Sequence, residues 1–110
     1  MEVNLSQEQG VTVLGLDGNF DTASAEAKEA EIMDAVGDGS GQFLVDFSGV
    51  PYIASSGLRI LLKMAQAVRV GGGDLKLCSL NDTVSEVFAI SGFDKILNVA
   101  GTRDEVLGAG

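Results

Sequence analysis

Short apolar segments separated by polar connections characterise the first half of the chain. Val3–Ser6 and Val11–Leu16 are largely apolar or β-branched, and the polar segment Gln7–Gly10 joins them. This pattern predicts a β-hairpin. Further on, Phe43–Phe47 is a nearly continuous apolar run, which is typical of a central parallel strand with both faces covered.

The segments on either side of that strand are predicted to be helices. Asp21–Ser24 offers N-cap side chains to an Ala- and Glu-rich stretch that ends at Gly37. Its apolar stripe is weak, so we expect this helix to lie partly exposed. Ser55–Val70 has a much stronger helical period, which Gly71–Gly73 ends abruptly. Its apolar positions recur at three- and four-residue intervals and comprise Leu58, Leu61, Leu62, Ala65 and Val68.

The last third of the chain continues the alternation of strands and helices. Asp74–Cys78 alternates like a strand with one wetter side. Asn81–Thr83 then caps a helix that stops at Gly92. Lys95–Val99 is predicted to be the final strand.

A short terminal helix completes the predicted order, because Thr102 and Glu105 have the three-residue spacing of a capping box. The order of elements is then ββαβαβαβα. Such alternation after an opening hairpin predicts an α/β fold with a mixed, mostly parallel sheet and helices packed on it. At 110 residues the chain has the size of one domain, so residues 1–110 are expected to form a single domain.

The charge balance is strongly acidic and argues against several classes of partner. Seven Lys and Arg residues stand against sixteen Asp and Glu residues, for a formal net charge of -9. Such a surface repels nucleic acid phosphates and anionic lipid headgroups, so we expect neither nucleic acid nor membrane binding. No signal peptide or membrane-spanning segment is recognisable, and a cytoplasmic location without membrane insertion is expected.

The chain lacks the residues that most enzyme and metal sites use. It contains no histidine, and its single cysteine, Cys78, lies among leucines, as buried structural cysteines do. Asp46 ends the apolar strand without a second carboxylate nearby in sequence, so hydrogen bonding to the following loop is favoured over a divalent-ion site. We therefore expect a protein without enzymatic activity, bound metal or cofactor.

The strongest candidate for a functional site is the junction between the apolar strand and the helix that begins at two serines. A loop containing Pro51 leads into Ser55 and Ser56, which places hydroxyl groups at a helix N-terminus. Unpaired backbone N–H groups and the helix dipole favour a phosphate or a partner's charged group there. From the residues alone, a helix cap, an anion site and a phosphorylation site all remain open.

Four groups of residues form a specific combination along the chain, namely Gly18–Asp21, Asp46–Val50 with Tyr52 and Ile53, Ser55–Leu58, and Gly92–Leu97. In this combination the chain resembles the STAS domain family, which is typified by bacterial anti-sigma factor antagonists. The resemblance covers nearly the whole chain. It implies a small mixed sheet with helices packed largely on one side.

The resemblance also implies a partner switch. The serine or threonine that is phosphorylated in the family directly precedes the helix-opening glycine and matches Ser56. The partner that phosphorylates it is an anti-sigma factor with serine kinase activity. The unphosphorylated protein binds that anti-sigma factor and frees the sigma factor, phosphorylation breaks the complex, and a serine phosphatase resets it. Ser55 is then expected to cap the helix, and Asp21, which matches an acidic position in the family, to lie on the same surface.

A partner-binding surface is accordingly predicted around the start of this helix. A polar stripe at Arg59, Lys63, Gln66 and Arg69 holds three of the seven basic residues. It is either a solvated helix face or a docking face for an acidic partner. The predicted partner-binding residues are Asp21, Ser55, Ser56, Gly57, Arg59 and Lys63.

One departure from the family pattern supports a different function. Many antagonists carry an aspartate two residues before the phosphorylated serine, where this chain has Ala54. The missing carboxylate is compatible with a STAS subunit that is never phosphorylated and that docks onto a transporter or a signalling scaffold. A small α/β enzyme or nucleotide binder is a third alternative, in which Asp46 would be needed for turnover.

Overall fold

A computed structural model describes residues 1–108, and its strands and helices follow the predicted order. A single turn of 3-10 helix, Phe93–Lys95, separates the third helix from the last strand. The strands are β1 (Glu2–Glu8), β2 (Val11–Asp17), β3 (Gln42–Gly49), β4 (Asp74–Cys78) and β5 (Asn98–Val99). The helices are α1 (Thr22–Val36), α2 (Ser55–Gly71), α3 (Asp82–Ser91) and α4 (Arg103–Leu107).

The strands form one mixed sheet in the order β1-β2-β3-β4-β5. β1 and β2 pair antiparallel, as predicted for the hairpin, and the remaining neighbours pair parallel. The register places Leu14, Val45 and Leu77 in one row across the centre of the sheet. Phe43–Phe47 is buried throughout, which confirms that both faces of β3 are covered.

The two faces of the sheet differ in what covers them. Helices α1, α2 and α3 pack on one face and enclose the main core, whose largest fully buried side chains include Phe20, Phe47 and Phe88. The opposite face carries a small cluster that α4 covers, comprising Val13, Leu44, Cys78 and Leu107. Cys78 is completely buried there, in agreement with a structural cysteine.

Helices α1 and α2 lie side by side and run parallel. The Ser56 hydroxyl contacts Thr22, and the Lys63 ammonium contacts Glu29, so both pairs are separated by 34 residues of sequence. The second pair lies about two helical turns beyond the first on each helix. Because the helices keep this alignment, their N-termini meet at the same end of the molecule.

Helix α1 is only weakly amphipathic, in agreement with the interrupted apolar stripe. Its buried residues are Ser24, Ala25, Ile32 and Val36, and much of the rest is exposed. Helix α2 buries Leu58, Leu61 and Val68 as predicted, whereas Leu62 and Ala65 are only partly buried and Ile60 and Met64 join the core instead. It ends where Gly72 adopts a left-handed conformation, with φ at 81°. The Gly71–Gly73 segment therefore stops the helix.

The predicted last strand is wrong at its start. Only Asn98 and Val99 pair with β4, whereas Lys95 belongs to the 3-10 turn. Because Gly92 ends α3 in the left-handed region, the backbone N–H groups that follow it bond back to Gly92 and Phe93 instead of to a neighbouring strand. The apolar character of this segment reflects Leu97, which is buried in the main core.

The terminal helix begins at Thr102, as predicted, and Thr102 Oγ1 accepts a hydrogen bond from the Glu105 backbone N–H at 3.2 Å. The reciprocal bond is shifted by one residue, because the Glu105 carboxylate accepts from the N–H of Gly101. Within residues 1–108, every helix is too short or too polar to cross a membrane.

Candidate functional site

The loop after β2 and the loop after β3 are joined by backbone hydrogen bonds. The N–H of Phe20 donates to the carbonyl of Tyr52, and the N–H of Ala54 donates to the carbonyl of Phe20, both at 2.9 Å. The side chains of Phe20 and Ile53 are fully buried beneath these bonds. This short ladder holds the start of α1 against the start of α2.

Ala54 occupies the N-cap position of α2. Its backbone is extended, with φ at -94° and ψ at 170°, and no side chain caps this helix. The prediction that Ser55 is the cap is therefore wrong: Ser55 is already the first helical residue, and it is exposed. The cap position is decided by the pairing of Ala54 with Phe20, which keeps Ala54 extended until the helix begins.

Ser56 is the second residue of α2 and is half-buried. Its hydroxyl donates a hydrogen bond to Oγ1 of Thr22 at 3.2 Å. Thr22 is the first residue of α1 and is exposed. The predicted modification residue thus lies where two helix N-termini meet at the surface.

Asp21 is the N-cap of α1. Its carboxylate accepts from the backbone N–H of Ser24 at 3.0 Å, and its own N–H donates to Oγ of Ser24 at 3.0 Å, which together form a capping box. The hydrogen bond from the Ser24 backbone, followed by that from the Ser24 hydroxyl, lowers the pKa of Asp21 below its ordinary value. The structure therefore places an ionised carboxylate directly before Thr22. We call Asp21, Thr22, Ser55 and Ser56 the Ser56 site.

Gly57 lies directly behind the Ser56 site and is buried. A Cβ atom at this position would lie 2.9 Å from Cγ of Phe20 and 2.9 Å from Cγ1 of Ile53. The absence of a side chain therefore permits the close approach of α2 to the loop after β2. Gly57 shapes the surface without presenting a side chain of its own.

The basic stripe on α2 is exposed at Arg59, Lys63 and Arg69. Lys63 pairs with Glu29 of α1, with 2.6 Å between Nζ and Oε2, so part of its charge is neutralised. Arg59 lies about one helical turn from Ser56, and it has no ion-pair partner among residues 1–108. Arg69 lies at the other end of the helix, beside a groove of about 230 Å³ that Ile96 and Leu97 also line.

Two further residues near the site were not predicted to belong to it, and one of them, Asn81, comes from the start of α3. Asn81 caps α3 as predicted, and its amide also donates to the carbonyls of Val50 and Pro51, each at 3.2 Å. It thereby fixes the loop that leads to Ser56. Tyr52, in the same loop, is 46% exposed and adds an aromatic side chain to the surface.

Asp46 belongs to a different cluster, on the face of the sheet that α4 covers. Its Oδ1 accepts from the backbone N–H of Ser48 at 2.8 Å, but Ser48 still belongs to β3, so the hydrogen bond that was predicted to reach the following loop is made within the strand. Its Oδ2 lies 2.9 Å from the Arg103 guanidinium, which also contacts Glu8. The described part of the chain contains no group of three or more Cys, Asp or Glu side chains placed to hold a metal ion.

Comparison with known proteins identifies the family to which this arrangement belongs. The chain is 37% identical to BtrV of Bordetella bronchiseptica, a candidate anti-sigma factor antagonist, over 99% of this chain and 94% of BtrV. It is 28% identical to the anti-sigma-F factor antagonist RsfB of Mycobacterium tuberculosis, over 96% of this chain and 85% of RsfB.

The crystal structure of an anti-sigma factor antagonist from Mycobacterium paratuberculosis superimposes with a TM-score of 0.86 at 26% identity, covering 98% of this chain and 92% of that one. The family model for the STAS domain matches residues 2–106. The resemblance seen in the sequence is confirmed, and the chain belongs to the STAS domain family.

Proposed function

We propose that this protein is an anti-sigma factor antagonist whose binding to its partner is controlled by phosphorylation of Ser56. In the unphosphorylated state it binds an anti-sigma factor through the surface around the Ser56 site, and the sigma factor is released. The observation that carries the proposal is the placement of the Ser56 hydroxyl, at the surface where the N-termini of α1 and α2 meet. The relatives named as antagonists support the same function.

The proposed surface combines the Ser56 site with the exposed side chains around it. Tyr52 and Arg59 supply an aromatic ring and a free cation, both of which are enriched in protein interfaces. Asp21 supplies a carboxylate, and Lys63 supplies an ammonium group that is already paired with the carboxylate of Glu29. This combination of aromatic, cationic and anionic side chains suits protein binding, and the proposed protein acts as a binding module.

The folded domain is expected to tolerate a phosphoserine at this position. Phosphorylation adds about 1.5 to 2 negative charges and three strong acceptor oxygens. Since Ala54 offers no capping side chain, the phosphoryl group meets no competing carboxylate at the first turn of α2. The helix dipole contributes a further stabilisation of about 0.3 to 1 kcal/mol to an anion there.

The complex with a partner is expected to respond much more strongly than the fold. Burying a dianion without a compensating cation costs several kcal/mol. Moving a complex from almost fully bound to almost fully free requires about 5.5 kcal/mol, which is within reach of an unpaired dianion at the centre of an interface.

The proposed partners follow from this switch. An anti-sigma factor with serine kinase activity transfers the phosphoryl group from ATP, and a serine phosphatase removes it. The net charge of -9 argues against nucleic acid as a direct partner, and a cytoplasmic location fits a regulator of sigma factors.

Phosphorylation by the cognate kinase tests the proposal. Incubation with that kinase and ATP is expected to add one phosphate, seen as a single increment in intact mass, and to dissociate the complex. Ser56→Ala is expected to accept no phosphate and to stay bound in the presence of ATP. Ser55→Ala is the matched control for the modified residue: it should still accept one phosphate and lose its partner in the presence of ATP, because Ser55 neither caps the helix nor precedes Gly57.

Ala54 supports a second candidate function, in which the same surface docks constitutively onto a transporter or a signalling scaffold. This function predicts that Ser56→Asp leaves binding unchanged. Weakened binding of Ser56→Asp to the isolated anti-sigma factor supports the phosphorylation switch. Unchanged binding, with no phosphate transfer from any kinase encoded beside the protein, contradicts it.

A further inference from the structure

The hydrogen bond between Ser56 and Thr22 links two segments that are 34 residues apart in sequence. Both residues lie in the first turn of a helix, and the parallel packing of α1 and α2 keeps the two turns together. The sequence predicts for Thr22 only a place among the possible N-cap residues of α1, and no role at the Ser56 site. The hydroxyl of Thr22 nevertheless accepts the hydrogen bond that the hydroxyl of Ser56 donates.

We propose that Thr22 is a positioning residue for Ser56, which orients the serine hydroxyl before phosphorylation and donates a hydrogen bond to the phosphoryl group afterwards. This inference rests on the proposed function, because it concerns the same serine. Under this proposal Thr22 influences the phosphorylation of Ser56 without itself reacting.

The support for Thr22 is rigid, which a positioning role requires. Threonine is β-branched and therefore restricted at χ1. The residue before it, Asp21, is held in the capping box with Ser24, and the backbone one residue earlier is bonded to Tyr52. A hydrogen bond from Ser56 to this fixed hydroxyl selects one serine rotamer on a surface where the side chain would otherwise sample several.

The chemistry of the modification reverses the roles of the two hydroxyls. Phosphoryl transfer forms a bond between Oγ of Ser56 and the γ-phosphorus of ATP, breaks the bond to ADP, and releases the serine hydroxyl proton to the partner kinase or to water. Oγ of Ser56 then has no hydrogen to donate. The hydroxyl of Thr22 both donates and accepts, so it turns to donate to a phosphoryl oxygen in a charge-assisted bond.

The side chains at the N-cap positions of the two helices cannot donate a hydrogen bond to the phosphate. The ionised carboxylate of Asp21 only accepts hydrogen bonds and is occupied by Ser24. At the N-cap of α2, Ala54 has no polar atom in its side chain. Thr22, by contrast, contacts Ser56 through a hydroxyl that is able to donate a hydrogen bond to the phosphate.

The decisive experiment uses phosphoserine that is genetically encoded at position 56, so that no kinase is required. The second ionisation of the phosphate is followed by ³¹P NMR as a function of pH. A donor hydrogen bond stabilises the dianion, so Thr22→Val is expected to raise the midpoint by about half a pH unit, which is about a threefold change in the protonation equilibrium. Thr22→Ser restores the hydroxyl and is expected to restore the midpoint.

Thr83→Val is the matched control, because Thr83 is likewise an exposed threonine in the first turn of a helix, whereas the hydroxyl that contacts Ser56 belongs to Thr22. It should leave the midpoint unchanged. Equal midpoints for Thr22→Val and the unaltered protein would overturn the inference. A merely structural role of Thr22 would lower the unfolding temperature without moving the phosphate titration.

The unphosphorylated state is tested with the cognate kinase. Loss of a hydrogen bond that orients the acceptor hydroxyl is expected to reduce kcat/KM for phosphorylation of Thr22→Val by about three- to tenfold, with Thr22→Ser close to normal. A kinetic constant that is unchanged in Thr22→Val contradicts the positioning role. Absence of any phosphate transfer to the unaltered protein contradicts the proposed function instead, and the ³¹P titration still decides the role of Thr22.

Discussion

Individual residues in and next to the Ser56 site have different structural roles. Gly57 allows the close approach of α2 to Phe20, Asp21 caps α1, and Ala54 leaves the start of α2 without a side-chain cap. Ser55 is exposed and is free of the capping role expected for it. The hydroxyl of Ser56 is held by Thr22 on a frame that these neighbours determine.

Gly57→Ala is expected to destabilise the protein. Alanine has the higher helix propensity, worth up to about 1 kcal/mol. That gain is outweighed because the added Cβ lies 2.9 Å from the ring of Phe20 and 3.0 Å from its backbone carbonyl, neither of which moves easily. Overpacking of this kind costs about 1 to 3 kcal/mol. Urea denaturation of Gly57→Ala should therefore show a lower midpoint.

Ser55→Ala is the control for that measurement, since an exposed substitution without a lost hydrogen bond stays within about 0.5 kcal/mol. A Gly57→Ala variant that is as stable as Ser55→Ala would contradict the close packing at this position.

The capping role of Asp21 predicts a defined pH dependence. Because its pKa is lowered in the folded protein, its ionised form stabilises the fold above the ordinary value of 3.8, and this stabilisation is lost as the pH falls through the lowered pKa. Asp21→Asn keeps a capping oxygen but loses the charge. The difference in urea midpoint between the two proteins should be largest near neutral pH and should shrink in acid below that value.

Ser24→Ala serves as the partner variant, because it removes the hydroxyl donor and keeps the backbone donor to Asp21. It should weaken the pH dependence without abolishing it. A stability difference between the unaltered protein and Asp21→Asn that stays constant from neutral pH into acid argues against a lowered pKa at Asp21.

Whole elements are held to the sheet with unequal strength. Helix α2 contributes six residues to the buried set and is anchored along its length. The loop before it is fastened by Asn81 from the start of α3. Helix α4 is only five residues long, contributes the single buried residue Leu107, and is tied down by the contacts of Arg103 with Asp46 and Glu8. We expect α4 to detach without global unfolding.

The thiol of Cys78 reports the detachment of α4. Cys78 is completely buried beneath this helix, and its burial raises the pKa of the thiol, so the folded protein should react very slowly with thiol reagents. Leu107→Ala is expected to accelerate labelling by about tenfold or more, which corresponds to about 1.4 kcal/mol of easier local opening. Labelling is followed by mass spectrometry without denaturant.

Leu97→Ala provides the comparison, because Leu97 is equally a buried leucine but belongs to the main core. It should lower global stability while accelerating labelling only in proportion to that loss. Equal labelling rates for the two variants at matched global stability would indicate that Cys78 is exposed only by complete unfolding.

At the scale of the whole molecule, the fold places the proposed surface at one end. Parallel strands direct the ends of β2 and β3 to the same side of the sheet, and the parallel helices α1 and α2 begin there. The groove beside Arg69 lies at the opposite end of α2. The basic stripe thus runs from the Ser56 site towards a different surface, and Lys63 in its middle is paired with Glu29.

Local patterns were sufficient for most of the fold. The strong period of Ser55–Val70, the apolar run Phe43–Phe47 and the capping residue Asn81 each predicted an element that the structure confirms. The prediction that the last strand begins at Lys95 was wrong. Leu97 is apolar because it is buried in the main core, but the backbone before β5 forms a turn instead of pairing with a strand. Apolar patterns report burial directly, but they report hydrogen bonding only by inference.

The candidate site was only partly visible in the sequence, because its members are brought together by packing. The sequence by itself determined the α/β order, the family and the serine at the start of α2. The tertiary structure decided that Ala54 and not Ser55 is the cap, that Gly57 is required by its contacts, and that Thr22 faces Ser56. Short-range periodicity encodes elements, whereas a contact across 34 residues depends on how two helices align on one sheet.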